Sequence, residues 1–539
     1  MLSVVKRVMR IVAVTTMALA GWCQAADQRP NILFIITDDQ HRIDFNFLSE
    51  GRDQQGNAFN LTPNIDRLSN EGVIFNSMFA TTSVCTPSRF SVLSGRYASR
   101  AESHRFTRDL EEFGQANVSF NTHILESTPN LASTLKAAGY FTGGVGKNHV
   151  IEAEFPHKIK RDVDVTDKNV KRQLRANQDA QIAAYHAVGF DFADRIYAGN
   201  VPGQYPKAVE GHNQDWITEG AINFLDQAAQ KEQPFFLYFG TTLEHGPHKQ
   251  GSKYKADPRM TPVGLLAEED VPKVQPNRAS LKQRVDEAGL EERAADVLWL
   301  DDGIGAVLQK LDAIGELDNT VIFYFDDHGV EGGKGSLYQG GVLTPSFVWG
   351  PKYFKGGREL NEIVANIDFA PTIYELAGVP AKAKPVVDGE SFVSLLNETK
   401  SDWRSELVME IGMTRAIISD GWKYLAFNVP EGKANMAMDR RAKLAGSQSK
   451  KPNKNNKATD PWMHMGDTPG GRGLEGLVLK SYGEENYFQP EQLYHYAVDP
   501  RERNNLITDP QYADRRADLR RRLANELQDF PGNFGDLKP

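Results

Sequence analysis

The sequence contains very little cysteine. Its 539 residues include only Cys23 and Cys85, and Cys23 lies in the N-terminal segment that we interpret below as a signal peptide. Removal of that segment would leave Cys85 alone, so the mature chain could form no intramolecular disulfide. We therefore expect the stability of the fold to come from a buried apolar core, which a chain of this length can supply.

The chain also lacks an excess of positive charge. Lys and Arg together number 62 against 71 Asp and Glu, which gives a formal net charge of -9 at pH 7. A protein that follows a phosphate backbone usually carries net positive charge over its binding domain, so we expect no nucleic-acid partner. An anionic ligand would have to be held by a local group of cations.

Long apolar runs are absent beyond the first residues. Residues 11–22 form an apolar run that follows basic residues, including Lys6 and Arg10, and precedes the small residue Ala26. This pattern is typical of a secretory signal peptide, which we assign to residues 1–26. No later segment reaches the roughly 20 apolar residues that a transmembrane helix needs. We expect a periplasmic or secreted protein without a transmembrane segment.

Strand-like and helix-like stretches alternate along the chain from Asn31. Short apolar runs such as "NILFIIT" predict buried strands, while "TPNIDRLSNEG" and "TPNLASTLKAAG" predict helices capped by Thr62 and Thr128. Apolar strands covered by helices on both faces are typical of α/β proteins. We therefore expect an α/β fold over residues 27–402, with a large, mostly parallel or mixed sheet sandwiched by helices.

The alternation weakens after residue 397. "TRAIISDGWKYLAF" predicts a hairpin around Asp420 and Gly421, and a charged helix is predicted over about residues 509–529. We assign residues 403–539 to a smaller C-terminal α+β domain. Within this domain, residues 431–472 have too few apolar side chains to offset the entropy of ordering, so we predict a basic loop there.

A second stretch, residues 152–212, shows no clear alternation of strand and helix patterns. We interpret it as irregular. We find no internal repeat in the chain.

Charged and polar side chains recur where the predicted strands end. They are, in chain order, Asp38, Asp39, Lys147, His149, His245, Asp326, Asp327 and His328. Ligands of open α/β sheets bind at the carboxyl ends of the strands. One pair of acids there is often only a turn or a helix cap. Two pairs on separate strands repel each other unless a cation lies between them, so we predict a metal site. Its oxygen-rich ligand set favours a hard ion such as calcium or magnesium, although His328 is a softer ligand.

Cys85 has two interpretations. An isolated cysteine is most often a small buried hydrophobe. Here it precedes "PSRFSVLSG", which predicts a short helix from Pro87 that ends before Gly95. The N-terminus of a helix favours anions, and Arg89 adds a cation in its first turn. An anion-binding nucleophile at Cys85 is therefore the alternative to a packing role.

Several motifs together resemble the type I sulfatases, a family within the alkaline phosphatase superfamily. The most specific motif is "CTPSR" from Cys85 to Arg89, followed by "LSGR". The others, in the same order as in that family, are "PNILFIITDDQ", "GYFTGGVGKNHV", "DDHG", "KGSLYQGGVLTP" and "LYHYAVDPRERNNL". The resemblance covers most of the chain. It implies that a maturation enzyme converts Cys85 to formylglycine during export, so that the mature protein carries no thiol at this position.

The resemblance also implies roles for the strand-end residues. Formylglycine at position 85 would be hydrated, with one hydroxyl attacking sulfur and the second allowing sulfate to leave by C–O cleavage. Asp327 would accept the proton of the nucleophile, and Arg89 would orient the hydrate. A divalent metal, expected to be Ca2+, would be held by Asp38, Asp39, Cys85, Asp327 and His328.

The resemblance assigns the remaining polar groups to the sulfate. Lys147, Lys334 and His245 would hold the sulfate oxygens, and His245 or Lys334 would protonate the leaving sugar oxygen. His149 would take a proton from the second hydroxyl when the sulfated intermediate collapses.

The chain departs from the family pattern at three positions. His328 stands where Asn is frequent, which leaves the identity of the metal open. Gln339 and Leu343 stand where Glu and Arg are frequent, and we interpret both as structural positions under the site.

The substrate is less defined than the reaction. We expect a sulfate ester of an oligosaccharide or polysaccharide, with small aryl and alkyl sulfates as alternatives. The segment 433–457, rich in Lys and Arg, would suit a polyanion, but it would equally suit a solvated loop without a ligand. Further candidates for contacts with the sugar are Arg96, Arg100, His104 and Arg105.

Two other functions stay open. A phosphonate monoester or phosphodiester hydrolase of the same superfamily could use a similar nucleophile and metal, because sulfate and phosphate are both tetrahedral. An inactive, sugar-binding relative would keep the fold and lose turnover. Paired assays on aryl sulfate and aryl phosphonate esters would separate the rival hydrolase from a sulfatase, and metal-dependent turnover would exclude the inactive relative.

Overall fold

The computed structural model describes residues 29–399, 402–428, 478, 480–487, 489–535 and 537. The predicted signal peptide and the predicted basic loop lie outside these residues. The strands are β1 Asn31–Asp38, β2 Val73–Phe75, β3 Met78–Phe79, β4 Phe141–Lys147, β5 Phe192–Tyr197, β6 Phe235–Glu244, β7 Met260–Thr261, β8 Gly264–Leu265, β9 Thr320–Asp326, β10 Ser346–Trp349, β11 Arg358–Leu360, β12 Val364–Ala365, β13 Glu406–Ile411, β14 Thr414–Ser419, β15 Trp422–Phe427 and β16 Glu491–Tyr494.

The α-helices alternate with these strands over most of the chain. They are Pro63–Glu71, Cys85–Ser94, His104–Phe113, Leu131–Ala137, Lys168–Ala187, Gln214–Ala228, Leu281–Glu287, Ala294–Ala313, Gln339–Val342, Phe369–Leu376, Val393–Leu396, Glu484–Tyr487 and Ala513–Glu526. Within the described part of the chain, none of them has both the length and the apolar composition needed to cross a bilayer.

The centre of the molecule is an eight-stranded mixed sheet with the strand order β11-β2-β10-β9-β1-β6-β4-β5. Strand β1 runs parallel to both of its neighbours, β6 and β9, and β4 runs parallel to β5 and β6. Strand β10 is antiparallel to β9 and β2. The predicted α/β class with a large, mostly parallel or mixed sheet is therefore confirmed.

Alternate side chains of the central strands supply two separate cores. Ile32, Phe34 and Ile36 of β1 pack on one face of the sheet, whereas Leu33 and Ile35 pack on the other. Because side chains alternate along a strand, an uninterrupted apolar run fills both faces. The first face is covered mainly by helices Cys85–Ser94, Leu131–Ala137 and Phe369–Leu376. The second is covered mainly by helices Pro63–Glu71, Gln214–Ala228 and Ala294–Ala313.

A second, antiparallel sheet of four strands, β13-β14-β15-β16, lies C-terminal to the first. The predicted hairpin is confirmed, because Ser419 of β14 pairs with Trp422 of β15 across Asp420 and Gly421. Both turn residues have positive φ, 53° and 79°, as a type I′ turn requires. The predicted C-terminal helix is also found, and Leu519 buries its side chain against this sheet.

Two predictions about local structure outside the active site are wrong. Residues 152–212 contain helix Lys168–Ala187 and strand β5, although the sequence shows only a weak apolar pattern there. The buried face of this helix consists of Leu174, Gln178, Gln181 and Tyr185. Two glutamines in the buried stripe weaken the periodicity of apolar residues that would have predicted the helix.

The second error concerns a helix cap. The side chain of Asn130, not Thr128, caps helix Leu131–Ala137 by accepting a hydrogen bond from the Ser133 N–H. Asn130 directly precedes the first helical residue, where a capping side chain must stand. The Thr128 hydroxyl instead accepts from the Leu125 N–H.

Candidate active site

The ends of four neighbouring parallel strands bring the predicted groups to one edge of the main sheet. Asp38 ends β1, Lys147 ends β4, Glu244 ends β6, and Asp326 ends β9. The order β9-β1-β6-β4 places these ends side by side. Asp39, Asp327 and His245 each follow one of these strands directly. This edge is where α/β sheets bind their ligands.

Cys85 is the first residue of helix Cys85–Ser94 and is fully buried. The predicted start at Pro87 is therefore two residues late. Pro87 fits inside the first turn because the first N–H groups of a helix have no intrahelical acceptor in any case. The helix ends at Ser94, and the next residue, Gly95, has a φ of 67°, the left-handed conformation that glycine adopts readily. Cys85 thus lies at the positive end of the helix dipole.

The Cys85 sulfur faces polar and charged groups from the end of β1 and from the segment after β9. It lies 3.5 Å from His328 Nε2, 3.6 Å from Asp38 Oδ1 and 4.0 Å from Lys334 Nζ. Burial opposes ionisation, but Lys147 and Lys334 outweigh it and lower the pKa of the Cys85 thiol to about 6. The surroundings of position 85 therefore stabilise negative charge, which agrees with a nucleophile site and not with a packing role alone.

Arg89 connects two of the strand-end carboxylates beneath Cys85. Its guanidinium is fully buried and lies 3.0 Å from Asp327 Oδ2 and 3.6 Å from Asp38 Oδ1. It also donates to the Thr37 carbonyl at 3.2 Å. These contacts fix Arg89 against β1 and β9, one turn after residue 85, where it can orient the group on that residue.

The two predicted sulfate-binding lysines contact carboxylates. Lys147 donates to Asp38 Oδ2 and to Asn200 Oδ1, the latter at 2.7 Å. Lys334 donates to both oxygens of Asp39, at 2.5 and 2.6 Å. Burial alone would raise the pKa of Asp38, but Lys147 and the other nearby cations hold it well below its usual range. Both ammonium groups therefore lie at the sheet edge within reach of the Cys85 environment.

Four of the five predicted metal ligands converge. One atom each from Asp39, Cys85, Asp327 and His328 lie within 4.8 Å of one another. His328 Nε2 is 3.4 Å from Asp39 Oδ1 and 3.5 Å from Asp327 Oδ1. The fifth predicted ligand, Asp38, has its Oδ1 3.6 Å from the Cys85 sulfur. Its Oδ2 forms an ion pair with Lys147.

The charges of this cluster fit a divalent cation. Asp327 Oδ1 is buried and accepts no hydrogen bond from the described residues. Burial disfavours a charged imidazole, yet the Asp327 carboxylate outweighs this cost and raises the pKa of His328 to about 10. A positive charge between these carboxylates would therefore be stabilised. Carboxylate oxygens together with one imidazole can bind a divalent ion.

The two remaining histidines follow the neighbouring strands β4 and β6, on the side of β1 away from β9. His149 follows β4, has a φ of 60°, and stacks on Phe120 with ring centroids 5.5 Å apart. Burial and the nearby Lys147 lower the pKa of His149 well below its usual range, so the ring is neutral. His245 follows β6, and its Nε2 lies 3.5 Å from Asp39 Oδ2.

Sequence patterns missed several residues that shape the site. Asn200, which binds Lys147, lies in the stretch interpreted as irregular, and Phe120 lies in a loop without a motif. Their roles depend on contacts between distant segments, for which one sequence carries no signal. Of the proposed rim residues, Arg100 donates to both carboxylate oxygens of Asp388 at 2.8 Å. This pairing gives Arg100 a structural role.

The family model for sulfatases matches residues 30–379. The chain therefore belongs to the sulfatase family of the alkaline phosphatase superfamily and is a sulfuric ester hydrolase, as predicted.

Known proteins resemble the chain over nearly its full length. An ulvan-active sulfatase from Formosa agariphila is 24% identical over 522 residues, which cover 92% of this chain and 74% of that protein. A solved structure in complex with its substrate D-glucosamine-2-N,6-O-disulfate matches with a TM-score of 0.55 and 20% identity, over 93% of this chain and 98% of that one.

A hydrolase named for a different ester has a similar fold. The phosphonate monoester hydrolase of Agrobacterium radiobacter matches with a TM-score of 0.55 and 18% identity, over 92% of this chain and 95% of that one. At these identities the solved structures show a shared fold, and the fold alone does not select the ester.

Proposed function

We propose that this protein is an exported sulfatase that removes sulfate from sugar units of oligosaccharides or polysaccharides, using a formylglycine made from Cys85. The observation that carries the proposal is the position of Cys85, buried at a helix N-terminus with Lys334 4.0 Å from its sulfur and the Lys147 and Arg89 cations nearby. The relative that acts on ulvan and the structure with a sulfated glucosamine support a sugar substrate.

Formylglycine, once formed and hydrated, supplies a hydroxyl nucleophile and a second hydroxyl through which the aldehyde is regenerated. Arg89 orients this group from the first turn of the helix, because its own guanidinium is held by Asp38 and Asp327. Lys147 and Lys334 bind the sulfate oxygens and stabilise the charge that develops on them. Lys147 is the last residue of β4, and Lys334 lies in the loop that follows β9.

The two histidines move protons in this proposal. His245, on the side of Asp39 and Lys334, donates a proton to the oxygen of the leaving sugar. His149 is neutral, and its Nδ1 has no hydrogen-bond partner among the described residues, so it can accept a proton. Its ring stacks on Phe120, and its backbone N–H donates to the Ala198 carbonyl at 3.1 Å.

A divalent cation, proposed to be Ca2+, would be held by Asp39, Asp327, His328 and the group at position 85, with Asp38 beside them. When bound, it would offset the carboxylate charges and polarise the oxygen next to it. Carboxylate oxygens favour a hard ion.

The proposal includes export and maturation. The N-terminal pattern over residues 1–26 directs the chain out of the cytoplasm, and a formylglycine-generating enzyme acts on the "CTPSR" motif. The buried position of Cys85 implies that this conversion takes place before the chain folds.

Paired assays test the proposed ester. The matured protein is given para-nitrophenyl sulfate, sulfated sugars and a para-nitrophenyl phosphonate monoester, with the Cys85→Ala variant as the control for background hydrolysis. We expect the highest kcat/KM on sulfated sugars and no turnover by Cys85→Ala. A higher kcat/KM on the phosphonate would contradict the proposal and favour the rival hydrolase.

A further inference from the structure

A cavity of about 390 Å³ lies beside the sulfate site, in the part of the chain whose sequence pattern suggested irregular structure. Its wall combines helix Lys168–Ala187 with residues 155–159 and 204–206. Pockets of this size hold small-molecule ligands or single units of a polymer. The sulfate chemistry described above uses none of its lining residues. We call it the side cavity.

The side cavity and the sulfate site share one thin wall, formed by residues 198–200. On the sulfate side, the Asn200 side chain accepts from Lys147 at 2.7 Å. The Ala198 carbonyl accepts from the backbone N–H of His149. On the cavity side, the Tyr205 hydroxyl accepts from the Ala198 N–H at 2.8 Å. A Cβ on Gly199 would lie 3.0 Å from His149 Cδ2 and 2.6 Å from Gln204 Nε2. One residue therefore separates the catalytic histidine from the cavity lining.

The lining has the chemistry that recognises a sugar. Phe155 is 46% exposed, one of few large apolar side chains this exposed among the described residues, and it offers its ring at the mouth of the cavity. The exposed Gln204 lines the same cavity, and its amide can bond to hydroxyl groups. An aromatic face against the C–H groups of a sugar ring and amides against its hydroxyls are complementary to a carbohydrate.

The charge of the lining favours an anionic chain. It contains Lys158, which is exposed, and no Asp or Glu. The whole protein carries a net charge of -9, so an acid-free lining next to Lys147, which donates to Asn200, is a local exception. An acidic or sulfated polysaccharide meets less repulsion here than it would over an acidic surface.

The walls of the side cavity are held in place. Asn177 accepts from the His157 N–H at 3.1 Å and donates to the His157 carbonyl at 2.9 Å, which ties the Phe155 segment to the helix. Arg161 forms a two-bond pair with Glu210, at 2.9 and 2.6 Å. A rigid wall needs little ordering when a ligand binds.

We propose that the side cavity binds a second sugar unit of the same chain whose sulfated unit lies at residue 85, with Phe155 stacking on its ring and Lys158 pairing with its anionic group. This inference rests on the proposed function, because it assumes a sugar sulfate at the catalytic edge. It makes this protein more efficient on oligosaccharides than on single sulfated sugars.

The test compares substrates of two lengths. Sulfated monosaccharides and matched oligosaccharides released from ulvan, carrageenan and chondroitin sulfate are assayed with the matured wild type and with Phe155→Ala, Lys158→Ala and Lys160→Ala. Lys160 is exposed in the same segment but does not line the cavity, so it is the matched control for Lys158. We expect Phe155→Ala to raise KM for the oligosaccharide about tenfold, which corresponds to about 1.4 kcal/mol.

The outcomes separate the two proposals. The inference holds if the wild type prefers the oligosaccharide, and if Phe155→Ala and Lys158→Ala lose this preference while their kcat/KM on the monosaccharide and the Lys160→Ala kinetics stay unchanged. Equal efficiency on both lengths, or a preference that survives in Phe155→Ala, overturns it while leaving the sulfatase proposal intact. If the wild type cleaves no sulfate ester, the proposed function fails. Calorimetric titration of the same oligosaccharides after chemical desulfation then decides the inference, since no binding, or binding unchanged in Phe155→Ala, overturns it.

Discussion

A buried ion pair between Lys423 and Glu502 holds the loop that carries Lys334. We expect loss of this ion pair to lower both the stability of the protein and its turnover. Lys423 of β15 is fully buried. Its ammonium lies 2.7 Å from Glu502 Oε1 and donates to the Leu337 carbonyl at 2.8 Å and to Gln339 Oε1 at 3.1 Å. Glu502 Oε2 accepts from the Gln339 N–H at 2.6 Å. The pair therefore fixes the backbone that follows Lys334.

The Lys423→Met variant removes the ammonium and keeps much of the side-chain volume. Burial lowers the pKa of Lys423 and raises that of Glu502, so their mutual attraction only partly offsets the cost of burying both charges. Removing one partner leaves the other charge buried and unpaired, which typically costs about 3–5 kcal/mol. The double variant Lys423→Met/Glu502→Gln removes both charges and should lose less.

Denaturant titration and steady-state kinetics measure the two effects. We expect Lys423→Met to unfold at a lower urea concentration and to show reduced kcat on para-nitrophenyl sulfate, with partial recovery of both in the double variant. Lys382→Met, at an exposed lysine, is the control and should change neither. A Lys423→Met protein with wild-type stability and kcat would refute this role of the pair.

Three further predictions follow from individual contacts. Lys334→Ala should lower kcat by about a hundredfold or more, as loss of one charge-stabilising donor does, with far-UV circular dichroism unchanged; an unaltered kcat would show that another group binds the sulfate. Chelation with EGTA should abolish turnover and added Ca2+ should restore it; full activity after exhaustive chelation would contradict a metal at Asp39, Asp327 and His328. Asp301 accepts from the Asn64 and Ile65 N–H groups, and burial raises its pKa to about 7. Its stabilising contribution is therefore present below pH 4 and is lost as the pH rises through 7. The stability of Asp301→Asn relative to wild type, measured by urea midpoints, should therefore increase between pH 5 and pH 8, by at most about 3 kcal/mol; a pH-independent difference would contradict the raised pKa.

The strand-end groups were predictable because their positions follow from local patterns. An apolar run predicts a parallel strand, and parallel strands of one sheet end at the same edge. Asp38, Lys147, His245 and Asp327 therefore meet there, as their positions in the sequence suggested. The start of the helix at Cys85 was missed by two residues, because proline is compatible with any position in the first turn.

The groups that support the site were not predictable from one sequence. Asn200 contacts Lys147, and Lys423 contacts Gln339, across long separations along the chain. Neither contact leaves a periodic or spacing signal. The helix Lys168–Ala187, which forms one wall of the side cavity, was hidden because Gln178 and Gln181 occupy its buried face. Polar residues at core positions defeat a prediction based on apolar periodicity.

The central claim is that residue 85 acts as a formylglycine nucleophile, and mass spectrometry of the tryptic peptide spanning residues 68–89 tests it most directly. The protein is exported from a host that contains the maturation enzyme, and the peptide is trapped with a hydrazine. We predict an aldehyde at position 85 and a hydrazone adduct. An unmodified Cys85 thiol in protein that still hydrolyses sulfate esters would contradict the account.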